Sequence, residues 1–201
     1  MRPPPFYTQV TRRGFSLIEA VIVLALVGLV LGGIWAAAAS VNKTRMVSDV
    51  YRATLQIVQL TQKTFRQSVP DSLFIMRIFE NDAEWPSDVF KPRTNNIQYS
   101  DAPWAGTSNP RLQINGMPAN STSGTYTAPA AGAYILVYTD IPASLCRQLT
   151  LRLGTVATSM RLKVFAQLPG AEIDASDGVT DSEAASVCGT PPIHLKMIYE
   201  N

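Results

Sequence analysis

From Phe15 to Ala39 the chain runs 25 residues with a single charge, Glu19. No other feature constrains the fold as strongly, because about 20 apolar residues suffice to cross a bilayer as a helix. A carboxylate in hydrocarbon costs a few kcal/mol when unpaired, so an ionisable residue there marks function and requires a partner.

The flanks orient this segment. Arg2, Arg12 and Arg13 precede Gly14 and no acid does, which places the N-terminus on the cytoplasmic side. A cleaved secretory signal is the first competitor, but its apolar core would be only about 7–15 residues. The run here is longer, and "AAAAS" (36–40) is the only passable distal cleavage site. Residues 1–14, "MRPPPFYTQVTRRG", read as a Pro-rich basic leader, residues 15–42 as the membrane segment, and residues 43–201 as an exported globular domain. Charge supports the division. The whole chain carries +2, yet without residues 1–14 it would hold 14 basic and 15 acidic residues. The basicity therefore belongs to the leader, and nothing in the remainder resembles a nucleic-acid footprint.

The same segment decides how the cysteines read. Cys146 and Cys188 would be two inert thiols in a cytosolic protein, whereas a lone, widely spaced pair in an exported chain usually forms one disulfide.

Helical spacing continues beyond the membrane segment. Met46, Val50, Ile57, Leu60 and Phe65 recur on one face, widened by Val47, Leu55 and Val58. No Pro or Gly intervenes between Ile34 and Val69, and Pro70 ends the pattern. One helix over about 16–68 would be roughly 80 Å long at 1.5 Å per residue. Its second half is amphipathic and needs a folded domain to lie against. A short helix is expected over 71–81, then a long Pro-, Gly-, Asn-, Ser- and Thr-rich connection over 82–131 with one strand at 111–117. Strands follow at 132–140, 160–168 and 193–201, with helices at 141–157 and 181–189. The order gives an α+β protein with an antiparallel sheet.

"RRGFSLIEAVIVLALVG" then carries a resemblance. It is similar to the signal of type IV prepilins and pseudopilins: a basic leader ending in Gly, an apolar residue, and Glu as the fifth mature residue. Gly14, Phe15 and Glu19 match that pattern. The resemblance implies cleavage after Gly14 by a membrane prepilin peptidase and N-methylation of Phe15. It implies a mature chain of 187 residues, held as a single-pass protein in a bacterial inner membrane. An assembly platform and its ATPase then build it into an extracellular pilus. It also implies a partner for Glu19, the Phe15 amine of a neighbouring subunit, because buried charge is tolerated when paired. The implied product is a homopolymeric filament serving adhesion, aggregation, motility or DNA transfer, with a host or recipient cell surface as a further partner. No catalytic residue, metal or cofactor is implied.

Phe15 as the first mature residue resembles type IVa pilins, whereas the 14-residue leader is long for that class and the cysteine placement, one in a helix after a central strand and the other before the last strand, resembles type IVb pilins. A disulfide closing that loop would contribute about 4 kcal/mol in the chain-entropy model. A minor pilin or a type II secretion pseudopilin is the alternative. Gly28, Gly32 and Gly33 each weaken a helix by about 1 kcal/mol relative to Ala. They read either as close membrane packing or as a site of local melting on assembly.

The remaining constellations are weak. Glu172, Asp174, Asp177, Asp181 and Glu183 crowd one stretch, but their spacing does not match an EF-hand, so they read as a solvated loop with a helix cap. His194 is the only histidine, and no nucleophile motif surrounds any serine. It reads as a strand residue facing solvent or a neighbouring subunit. Asn120-Ser121-Thr122 matches a glycosylation sequon. Trp35, Trp85 and Trp104 read as interface, core and loop anchors.

Overall fold

A computed structural model describes residues 16–66, 69, 79, 82–93, 96–104, 111–168, 170–189 and 191–200. The helix expected over 71–81 lies outside these, apart from Phe79. The chain divides into two units, Met1–Asn42 and Lys43–Asn201. Helix α1, Leu17–Thr64, is 48 residues long and contributes to both.

In the first unit α1 is exposed all round, as its uninterrupted apolar sequence dictates when no neighbour is present. In the second unit the same helix turns amphipathic and buries Val47, Val50, Ala53, Thr54, Ile57, Val58, Leu60 and Thr61. That burial supplies most of the stability of this half, since fully covering a side chain such as Ile57 contributes about 1.5–3 kcal/mol.

The face of α1 lies against a seven-stranded sheet. Its strands are β1 Lys91–Arg93, β2 Asn96–Asp101, β3 Arg111–Met117, β6 Ala133–Thr139, β7 Leu162–Gln167, β8 Glu172–Asp174 and β9 Leu195–Glu200. The spatial order is β1-β2-β3-β6-β9-β7-β8, with every pairing antiparallel. The final strand of the chain is therefore inserted between β6 and β7 and is buried on both faces.

Period-two alternation sorts the side chains. Tyr134, Leu136 and Tyr138 of β6 join Leu195, Met197 and Tyr199 of β9 in the core beneath α1. Ala133, Val164, Ala166 and Ile198 point to the other face, where a smaller cluster includes Met117 and Ala128. A small hairpin, β4 Thr122–Ser123 and β5 Tyr126–Thr127, forms a sheet of its own. Its turn takes Gly124 at φ +65°, where a side chain would strain the backbone, and a Cβ there would sit 2.1 Å from a Glu172 oxygen and displace that carboxylate.

Helices α2, Ala143–Gly154, α3, Ala157–Met160, and α4, Asp181–Val187, complete the domain. Gly154 ends α2 where Val179 approaches; a Cβ would lie 2.8 Å from the Val179 side chain.

Several boundaries differ from expectation, each for a tertiary reason. Helix α1 stops at Thr64 rather than near residue 68. There the Phe65 ring is held against Phe79 and Tyr134, with centroids 5.9 and 6.1 Å away. The Phe65 carbonyl accepts a hydrogen bond from the Tyr134 hydroxyl at 3.4 Å. The helix expected over 141–157 is two pieces, broken at Thr155–Val156, where the Thr155 hydroxyl donates to the Arg152 carbonyl at 2.7 Å. Pro142 precedes the first turn as its cap. The long connection holds more structure than its composition suggests, namely β1, β2 and the hairpin. β1 tolerates Pro92 because it is an edge strand.

Candidate functional site

Glu19 lies in the first turn of α1, with its amide donating to the Ser16 carbonyl at 3.0 Å. A carboxylate at a helix N-terminus is favoured by the dipole there. Among the described residues no side chain forms an ion pair with it. Gly14 and Phe15 lie outside the described residues. From Leu17 to Val41 the helix presents large apolar side chains to the exterior, Leu24 at 70% exposure and Trp35 at 77%. By length and composition it can cross a membrane.

The helix runs unbroken through Gly28, Gly32 and Gly33, and a Cβ at any of the three would meet nothing within 4 Å. Nothing among the described residues therefore calls for glycine at these positions.

Behind this segment α1 is fixed by hydroxyls as well as by apolar contact. Thr54 donates to the Val50 carbonyl at 2.7 Å, and Thr61 to the Val58 carbonyl at 2.8 Å. Each threonine has then used its one proton, so it accepts from a tyrosine: Tyr138 donates to Thr54 at 2.6 Å and Tyr199 to Thr61 at 2.9 Å. Burial pushes both phenols above their ordinary pKa. Sequence reading missed these pairs. The available signal was two threonines, seven residues apart, on an otherwise apolar helix face.

Cys146 in α2 and Cys188 at the end of α4 form a disulfide with Cα atoms 5.8 Å apart. Both residues are buried, and the bond ties α2 to α4 across 42 positions of sequence. The region it bounds contains α3, β7, β8 and α4.

The carboxylates of that region have separate local tasks. Glu172 accepts from the Thr125 hydroxyl at 2.7 Å, which anchors the β4–β5 hairpin. Asp174 accepts from the Ser176 hydroxyl and amide at 2.6 and 2.8 Å, which hold its carboxyl below the usual range. Asp181 pairs with Arg147 of α2. Glu183 and Thr180 form the capping box of α4, and the Thr180 bonds hold the Glu183 carboxyl below its ordinary value. Among the described residues no three His, Cys, Asp or Glu side chains converge on a metal-sized site.

His194 immediately precedes β9 and is half-buried, with its Nδ1 enclosed and without a hydrogen-bond partner. It is less open to solvent than a strand residue facing outward would be. Lys196, two residues on, is almost fully covered and donates to the Ser123 hydroxyl at 3.1 Å. Asn120 is exposed at φ +59°, at the start of the sequon. Trp85 is in the core, stacked on Phe79 at 6.1 Å. Trp104 is equally buried, edge-on to Tyr138 at 5.6 Å, so this loop residue is a core residue as well. A cleft of about 560 Å³ between α1 and residues 83–89 is lined by Asp49, Arg52, Lys63, Glu84, Trp85 and Asp88, with no nucleophile–base arrangement among the described residues.

Comparison with known families agrees with the geometry of α1. Residues 11–35 match the family described as the prokaryotic N-terminal methylation motif. No curated protein matches the chain. The motif implies processing by a prepilin peptidase and handling by pilus-assembly machinery, and it points to a structural protein rather than an enzyme. Together with the apolar helix it fits a single-pass membrane-anchored protein. That motif, a 48-residue helix laid on an antiparallel sheet, and a disulfide closing the C-terminal region together support a type IV pilin-like or pseudopilin protein.

Proposed function

We propose that this chain is the major structural subunit of a type IVb-like pilus. Residues 1–14 are a leader removed after Gly14, and Phe15 becomes the N-methylated first residue. Residues 15–42 hold the subunit in the inner membrane and later form the filament interior. Residues 43–201 form its extracellular surface. The carrying observation is the motif at 11–35, whose only acid is Glu19 and whose residues from Leu17 onward lie on a helix with no apolar partner among the described residues.

In the filament, staggered parallel helices bring the cationic amine of Phe15 to the Glu19 carboxylate of a neighbour. A subunit out of register leaves both charges unpaired in an apolar interior, so the pair sets register. Close helix packing supplies a use for Gly28, Gly32 and Gly33, and local melting of the helix between them would let it adapt as the filament forms. Adhesion, aggregation, motility or DNA transfer then belong to the polymer.

Mass spectrometry of a sheared surface fraction tests the reading. The expected result is a fraction dominated by a chain beginning at methylated Phe15. A processed chain found only in trace, or retained in the membrane, would establish a minor pilin or a secretion pseudopilin instead.

A further inference from the structure

The second half of α1 has an exposed side as ordered as its buried one. Arg45, Arg52, Gln59 and Arg66 are exposed and follow one another at intervals of seven. Seven residues make almost two turns, so Arg45, Arg52 and Gln59 form one line along the helix, about 10 Å apart, and Arg66 follows two residues past its end. Lys63 on the same side is neutralised by Glu84 at 2.6 Å. Asp49 is the one acid on this part of the helix, and Glu84 and Asp88 line the same cleft as Arg52, against Lys43, Arg45, Arg52, Lys63 and Arg66. Arg45, Arg52 and Arg66 form no ion pair among the described residues, so the stripe keeps an excess of positive charge.

The opposite excess lies between β8 and α4. Glu172 is taken by Thr125, Asp181 by Arg147, and Glu183 by the α4 cap. Asp174 and Asp177 remain exposed. Asp174 feels Lys163 only weakly beside its bonds to Ser176, and Asp177 forms no ion pair among the described residues.

We infer that these are two halves of one self-association contact, in which the Asp174–Asp177 loop of one copy docks on the Arg45–Arg52 stretch of α1 in the next. The inference rests on the polymeric reading above and names the surfaces by which its subunits meet outside the membrane. Guanidinium groups suit the task because their planar fork accepts a carboxylate in two parallel hydrogen bonds. Without its leader the chain is nearly neutral, so mutual repulsion between copies is small and local complementarity decides their orientation. The two patches are different surfaces of one molecule. A contact between them is head-to-tail, which extends into an open helix rather than closing into a dimer.

The test is charge reversal in the full-length chain, expressed in the native host and read as processed subunit in sheared filaments. Arg45→Glu with Arg52→Glu is expected to lower filament yield at least tenfold, and Asp177→Arg to do the same. All three changes together are expected to recover most of the wild-type yield. All sites are exposed, and Asp177 makes none of the loop's internal bonds, so processed subunit in the membrane should stay at the wild-type amount. Wild-type yield from either reversed set, or loss with no recovery in the combination, would overturn the contact. A fall with the arginine changes but none with Asp177→Arg would assign the stripe to lipid headgroups and also overturn it. If the unaltered chain forms no filaments, it is the polymeric reading that fails.

Discussion

The two halves of α1 share one backbone conformation and little else. Leu17–Asn42 is apolar on every side and covers none of it, whereas Lys43–Thr64 confines its apolar residues to one stripe and buries them under the sheet. The first half is written for a solvent that surrounds it, the second for a surface that meets it on one side. A helix of this length is therefore two instructions in series. Stability of the domain depends on the second; in the proposed filament the first packs against its neighbours and the second adds its exposed arginines.

The largest effect expected from breaking that division is in the first half. Glu19→Ala removes one partner of the proposed charge pair and leaves the Phe15 amine unpaired in an apolar interior. Stranding a buried charge costs about 3–5 kcal/mol, or a factor of hundreds to thousands in the equilibrium for adding a subunit. Filaments in a sheared fraction should fall to trace, while insertion, processing and thermal unfolding of the domain stay at wild-type values. Normal filament yield would separate Glu19 from register.

A matched pair of truncations sharpens the contrast. Ile57→Ala empties a fully buried position under β6 and β9, and such changes cost about 2–5 kcal/mol. Leu24→Ala is the same kind of truncation at a site 70% exposed. In detergent-solubilised protein, denaturant unfolding of the domain should shift strongly for Ile57→Ala and not measurably for Leu24→Ala. Equal shifts would mean that the two halves unfold as one.

A smaller effect tests the hydroxyl seam. Tyr138→Phe removes a donor to Thr54, for a loss of about 1 kcal/mol. It should also flatten the alkaline limb. The phenols of Tyr138 and Tyr199 are raised above their ordinary value of 10.0 by burial. The fold thus favours the neutral form, and its stabilisation is complete below about pH 10 and is lost as pH rises further. Loss of stability above pH 10 should be shallower in Tyr138→Phe, measured by unfolding at a series of pH values.

What could be read in advance follows the same split between local pattern and tertiary demand. The apolar run and the amphipathic stretch are local patterns, so they located α1 and its buried face. The strands at 133–139 and 195–200 were legible because β-branched and aromatic residues cluster there. β1 and β2 were not. Pro92 and the polar residues around it read as loop, and only pairing at the edge of an existing sheet makes them strands. The stop at Thr64 is invisible in the sequence because it depends on Tyr134, 69 residues from Phe65. Likewise the acids between Glu172 and Glu183 looked like one cluster. Their separation into a hairpin anchor, a turn, an ion pair and a cap required knowledge of Thr125 and Arg147, both remote in sequence.

The cap of α4 gives the finest test, since it lies beside the disulfide and far in sequence from α1. Thr180 accepts from the Glu183 amide, while the Glu183 carboxylate accepts from the Thr180 amide at 2.8 Å. Loss of an N-cap threonine costs about 1 kcal/mol, a small part of the stability of a domain in which the Cys146–Cys188 bond still holds the other end of α4. Thr180→Ala should therefore lower the unfolding midpoint slightly and leave the covalent tie unchanged. Its acid dependence is more diagnostic. The Glu183 carboxyl is held below its ordinary value of 4.5 by the Thr180 bonds, so its contribution is present above about pH 4.5 and is lost as pH falls through the lowered value. Removing Thr180 returns Glu183 toward the ordinary range, and the variant should lose less stability on acidification than the wild type. Parallel acid curves would show that the cap closes α4 without engaging the charge of Glu183, and that the disulfide alone fixes this corner of the domain.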